Sequence, residues 1–97
     1  MRKITEDAYN AFMNNKRFKS GNTEVKIIND NVITMFLHNR AIVKKESNDI
    51  FISDGNYGWS RTTSERLSAF PVRLRVVKGE WILNEKSVWD GKWLKIN

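Results

Sequence analysis

The hydrophobic positions of this chain change their spacing several times, and each change marks an element. From residue 5 to about residue 17 the pattern is helical: Ile4, Ala8, Ala11 and Phe12 fall at intervals of three and four, flanked by Tyr9 and Met13. Thr5 is the predicted N-cap. Glu6 and Asp7 complement the positive end of the helix dipole, and Lys16 and Arg17 the negative end. Asn14-Asn15 and Ser20-Gly21-Asn22 are turn chemistry that closes this helix. The period then becomes two. Residues 23–28 put Val25 and Ile27 on one face and Glu24, Lys26 and Ile28 on the other. Residues 32–37 are almost continuously apolar, as in a central strand covered on both faces. Residues 41–46 pair with 50–53 through Ser47-Asn48-Asp49. With turns at Asn29-Asp30-Asn31 and His38-Asn39-Arg40, these four strands are a predicted meander.

A glycine-bracketed loop follows, Asp54-Gly55-Asn56-Tyr57-Gly58-Trp59-Ser60-Arg61. Its glycines admit positive φ, so the chain turns sharply while presenting Tyr57 and Trp59. Thr62 and Glu65 match a capping box, which predicts a helix from about Thr63 to Phe70 with Leu67 and Phe70 as its apolar face. Pro71 stops it by biasing Phe70 away from helical backbone. Residues 72–77 alternate strictly, with Val72, Leu74 and Val76 on one face and Arg73 and Arg75 on the other. Lys78-Gly79 turns the chain back into residues 80–83. Over 88–95, Asp90-Gly91 between Trp89 and Trp93 predicts a hairpin with the two indoles facing each other. The order helix, four strands, helix, three or four strands predicts an α+β fold. The expectation is a single small globular domain over 1–97, mostly antiparallel sheet of about six or seven strands, with an N-terminal helix and a short second helix.

Composition narrows the function. At 97 residues and 40% hydrophobic, the chain has room for one core. It has no cysteine, which removes disulfides, thiol nucleophiles and the usual zinc sites. No membrane-length apolar run or signal peptide is visible, so a soluble cytoplasmic protein is expected. The single histidine, His38, lies at a strand end without a neighbouring nucleophile or orienting acid. The carboxylates Asp49, Asp54, Glu65 and Asp90 occupy turn or capping positions. No enzyme activity, cofactor or metal is expected.

Seventeen Lys and Arg against eleven Asp and Glu give a net charge of +6, which biases encounters toward anionic partners. The candidate surface is Tyr57, Trp59, Arg61, Arg66, Arg73, Arg75 and Lys78. It suits a protein interface, where Trp, Tyr and Arg are frequent anchors. The alternative is binding of DNA or RNA without sequence specificity, the cations meeting phosphates and the rings an unpaired base. No helix-turn-helix, zinc finger or RNP motif indicates base-specific readout.

Gly21-Asn22-Thr23-Glu24-Val25, Leu37-His38-Asn39-Arg40-Ala41-Ile42, Ile52-Ser53 with Gly58-Trp59, and Thr62-Thr63-Ser64-Glu65-Arg66-Leu67 resemble a loose set of small bacteriophage-encoded accessory proteins. The resemblance spans roughly residues 3–70. Members of that set often carry glycine where this chain has Asn39 or Arg40. What the resemblance implies is context: a protein in the host cell whose partner is a host protein, sometimes one of a defence system.

Overall fold

The computed structural model describes residues 2–56 and 58–97. In chain order the elements are α1 (Lys3–Met13), β1 (Phe18–Ser20), β2 (Thr23–Asn29), β3 (Val32–Leu37), β4 (Arg40–Glu46), β5 (Asp49–Ile52), α2 (Arg61–Leu67), β6 (Leu74–Val77), β7 (Glu80–Leu83), β8 (Ser87–Trp89) and β9 (Leu94–Lys95). They form an α+β domain with two antiparallel sheets, one of six strands in the order β1-β2-β3-β4-β5-β9 and one of β6-β7-β8. The strand total exceeds the sequence expectation because β1 and β9 have only three and two residues, too few to show a period.

Helix α1 begins earlier and ends sooner than its pattern predicts. Its N-cap is Arg2, not Thr5: the Arg2 carbonyl accepts the Thr5 and Glu6 N–H groups, each at 3.1 Å. Thr5 lies inside the first turn and is buried. At the other end Asn15 takes φ 57°, a left-handed conformation that asparagine tolerates, so Lys16 and Arg17 fall beyond the helix. Lys45 supplies the cation there instead, with Nζ donating to the Phe12 carbonyl at 3.4 Å.

The register of the large sheet aligns Phe18, Val25, Met35, Val43, Ile52 and Leu94 in one cross-strand row. Ala8 and Phe12 of α1, Leu67 of α2 and Phe70 join these side chains in the core. Phe70 closes it, meeting the rings of Tyr9 and Phe12 edge-on at 5.1 and 5.6 Å between centroids. The register slips between Met35 and Phe36, where Ile42 is an extra residue on β4. That bulge lets the consecutive Ile42 and Val43 both be buried.

Only one face of the large sheet is covered. Strand β3 was expected to be covered on both, but Thr34 and Phe36 point away from the helices, and Thr34 is shielded between its register neighbours Lys26 and Lys44. Long lysine stems screen a small side chain well.

The small sheet turns Val76, Trp81 and Trp89 inward, with the two indole rings 5.5 Å apart. The hairpin predicted over 88–95 does not form. β8 pairs with β7 while β9 pairs with β5, so Asp90-Gly91 carries the chain from one sheet to the other. Trp89 is drawn into the core, its Nε1 donating to the Lys92 carbonyl at 2.9 Å, whereas Trp93 remains 42% exposed. Burial of one large ring outweighs the local turn preference.

Candidate binding site at the Trp59 pocket

The loop after β5 is fixed by its own polar side chains. Asp54, buried, accepts the Trp81 indole N–H at 3.2 Å with Oδ2 and the Asn56 N–H at 2.9 Å with Oδ1. Its N–H and the Ser53 hydroxyl both donate to the Gly91 carbonyl, at 2.9 and 3.1 Å. Tyr57 lies outside the described residues.

The chain then enters α2 with a cap different from the predicted one. Ser60, in extended conformation, accepts the Thr63 N–H at 3.0 Å, so Ser60 rather than Thr62 is the N-cap. Glu65 is thereby released from the capping box. Its Oε1 reaches α1 instead, accepting the Arg2 N–H at 3.3 Å and the Thr5 hydroxyl.

Arg66 is the largest correction to the sequence reading. It is 2% exposed, so it lies beneath the surface rather than on it. Its Nε donates to the Thr23 hydroxyl at 2.9 Å, and its two terminal nitrogens donate to the Thr5 hydroxyl at 3.0 Å and Asn22 Oδ1 at 3.4 Å. Glu65 stands 3.6 Å away as counter-charge. Burial lowers the guanidinium's pKa from its ordinary value, an effect that Glu65 opposes and Arg2 reinforces. One side chain thus ties α1, β2 and α2 together. Asn22 extends the network, its Nδ2 lying 3.4 Å from His38 Nε2 while its carbonyl accepts the His38 N–H at 2.8 Å.

His38 also belongs to a pocket of about 330 Å³ lined by Leu37, His38, Ile42, Trp59, Ser60, Thr62 and Thr63. Its floor is aliphatic, its rim carries the His38 ring and hydroxyls, and Trp59, 43% exposed, forms one wall. Arg61 follows on the exposed first residue of α2. The remaining predicted residues are elsewhere. Arg73, Arg75 and Lys78 are exposed on and around β6 of the small sheet, and Arg75 pairs with Glu85 at 2.9 Å. Sequence reasoning missed His38, Leu37 and Ile42 as pocket residues, because their convergence depends on the β4 bulge and the His38-Asn39 turn.

Among the described residues no group of three or more His, Cys, Asp and Glu comes together as a metal site. Among the described residues no helix is long and apolar enough to cross a membrane.

Comparison with known proteins bears on this geometry. The family model for the Kyanoviridae Gp96 protein matches residues 1–95. The chain belongs to this phage protein family. No curated protein and no solved structure matches the chain. Family membership bears out the phage-type resemblance, and the stretches that carried it meet in space. Leu37, His38, Ile42, Trp59 and Thr63 line the pocket, and Asn22, Thr23 and Arg66, distant from them in sequence, form the hydrogen-bond network that reaches it at His38.

Proposed function

We propose that this phage protein acts by binding a host protein, thereby modulating or inhibiting it, with no chemistry of its own. Trp59 and the pocket behind it are the anchor point. The observation that carries this reading is a half-exposed indole on the wall of a 330 Å³ apolar pocket whose His38 is held through Asn22 to the buried Arg66 network. Interfaces concentrate their energy in a few such aromatic anchors and small pockets, and a frame already held rigid loses little entropy on docking. The pocket has room for one large side chain of a partner. The exposed Arg61 beside the pocket, with Arg73 and Lys78 elsewhere on the surface, adds to a net positive charge that favours encounter with an acidic partner. The reading places the protein in the host cytoplasm.

Trp59→Ala is the test. Binding to a captured host protein is expected to weaken about 30-fold or more, the loss typical of a central aromatic anchor. Unfolding stability should change by less than about 1 kcal/mol, because much of the ring is already in water. Isothermal titration calorimetry paired with a denaturant melt reads both quantities. Unchanged affinity in the folded variant contradicts the assignment.

A further inference from the structure

The uncovered face of the six-stranded sheet carries a row of residues that the Trp59 reading leaves unused. Successive register partners across β2, β3, β4, β5 and β9 are Lys26, Thr34, Lys44, Phe51 and Lys95. Lysines alternate in this row with a small and an aromatic residue, and more rings stand beside it. Lys26 Nζ lies 5.2 Å from the centre of the Phe36 ring, and Lys44 Nζ lies 5.2 Å from Phe51 and 4.6 Å from Trp93. The carboxylates on this face stand off the row, Glu24 to one side and Glu46 opposite Asp49 to the other. Each lysine of the row has one of these carboxylates as its ion-pair partner, so a strand laid along the row meets lysines and rings with the acids at its flanks.

We propose that this face binds single-stranded nucleic acid, its backbone running across the strands over Lys26, Lys44 and Lys95 and its bases stacking on Phe36, Phe51 and Trp93.

Charge complementarity favours a polyanion over other occupants. At the β1 end of the row, Arg17, Lys19 and Lys26 line a cleft of about 440 Å³ together with Glu24, the partner of Lys26, while among the described residues Arg17 and Lys19 have no ion-pair partner, which leaves cations in excess there. The existing pairs are all at least partly exposed, Lys26 with Glu24 at 3.9 Å, Lys44 with Glu46 at 3.1 Å and Lys95 with Asp49 at 3.3 Å. Such pairs hold weakly and yield to phosphate. A protein partner, a second copy of the chain included, is disfavoured because lysine is depleted from protein interfaces. The sheet offers no projecting helix or ribbon to enter a duplex groove, and its rings can reach only bases that are already unstacked. Four interstrand steps of ~4.8 Å put the row's ends roughly 19 Å apart, the footprint of a short single strand.

The test uses the full chain and fluorescein-labelled single strands of mixed sequence, DNA and RNA, with the matching duplexes, followed by fluorescence polarisation. If about four phosphates are neutralised, affinity for the single strand should fall about 50-fold between roughly 50 and 200 mM salt. Lys26→Glu combined with Lys95→Glu should weaken binding at least about 20-fold and lower the logarithmic salt slope by about 1.4. Trp93→Ala, at an exposed position, should cost about fivefold or more with the slope unchanged, since stacking is not electrostatic. Circular dichroism confirms that each variant is folded. Failure to bind single strands at about 50 mM salt overturns the proposal, as does full affinity in the folded double lysine variant or a preference for duplex over single strand.

Discussion

Replacing Arg66 with alanine is expected to remove about 3 to 5 kcal/mol of stability, the range for breaking a buried charged network from one side. That is a large share of the roughly 5 to 15 kcal/mol that holds a domain of this size. Two losses combine. The guanidinium's volume leaves a void between α1, β2 and α2, and Thr5, Thr23 and Asn22 each lose the donor now directed at their oxygens. Glu65 loses its counter-charge as well. The folded state holds this charge against a desolvation penalty, visible in the lowered pKa, and only the complete set of hydrogen bonds offsets it. Arg66→Lys separates charge from geometry. A single ammonium cannot span acceptors on α1, β2 and the β1-β2 turn, so the lysine variant should still lose about 2 kcal/mol or more. Guanidinium denaturation of the two variants measures this. A loss below about 1 kcal/mol in Arg66→Ala would show that the knot is not structural.

Gly91→Ala should be nearly as damaging for a steric reason. A methyl group built on Gly91 would lie 2.0 Å from Asp54 Oδ2 and 2.4 Å from its Cγ, and the backbone there has φ +81°. Asp54 cannot simply turn aside. Its two oxygens hold the Trp81 indole and the Asn56 N–H, and its own N–H is bound to the Gly91 carbonyl. Relief of the clash therefore breaks the contact that joins the two sheets, at an expected cost of about 3 kcal/mol or more. Gly21→Ala is the internal comparison. That glycine also has positive φ, +54°, but nothing lies within 4 Å of its added Cβ. Its cost should be only the left-handed backbone strain, about 1 to 2 kcal/mol. Thermal melts of the pair distinguish clash from strain, and equal shifts would contradict the account.

The fold class and most elements were legible because they rest on local periodicity. The helical stripe of Ala8 and Phe12, the meander of β2 to β5 and the alternation about Arg75 all appear where the pattern put them. The errors fall where two local signals compete and a distant residue decides. Ser60 with Thr63 and Thr62 with Glu65 are equally plausible caps in isolation, and the outcome turns on Glu65 reaching α1. Thr5 looks like an N-cap until Arg66 claims its hydroxyl from within the helix. Asp90-Gly91 reads as a hairpin turn until Trp89 finds Trp81.

The sites were only half legible for the same reason. Trp59 stood out through its glycine-rich context, but no local pattern separates a buried arginine on a two-turn helix from an exposed one. The open sheet face was hinted at by Glu24 and Lys26 alternating with Val25 and Ile27. Aligning Lys26 with Lys44 and Lys95 further needed the β4 bulge and the return of β9 to the first sheet, neither of which is a sequence-local property.

The most direct test of the central claim, that Trp59 and its pocket contact a host protein, is site-specific photocrosslinking in infected host cells from position 62, where Thr62 lines the pocket and Trp59 is kept. The expected result is one crosslinked host protein, competed away by excess unmodified chain and not by the Trp59→Ala variant. No crosslink from position 62, or equal competition by both chains, would contradict it.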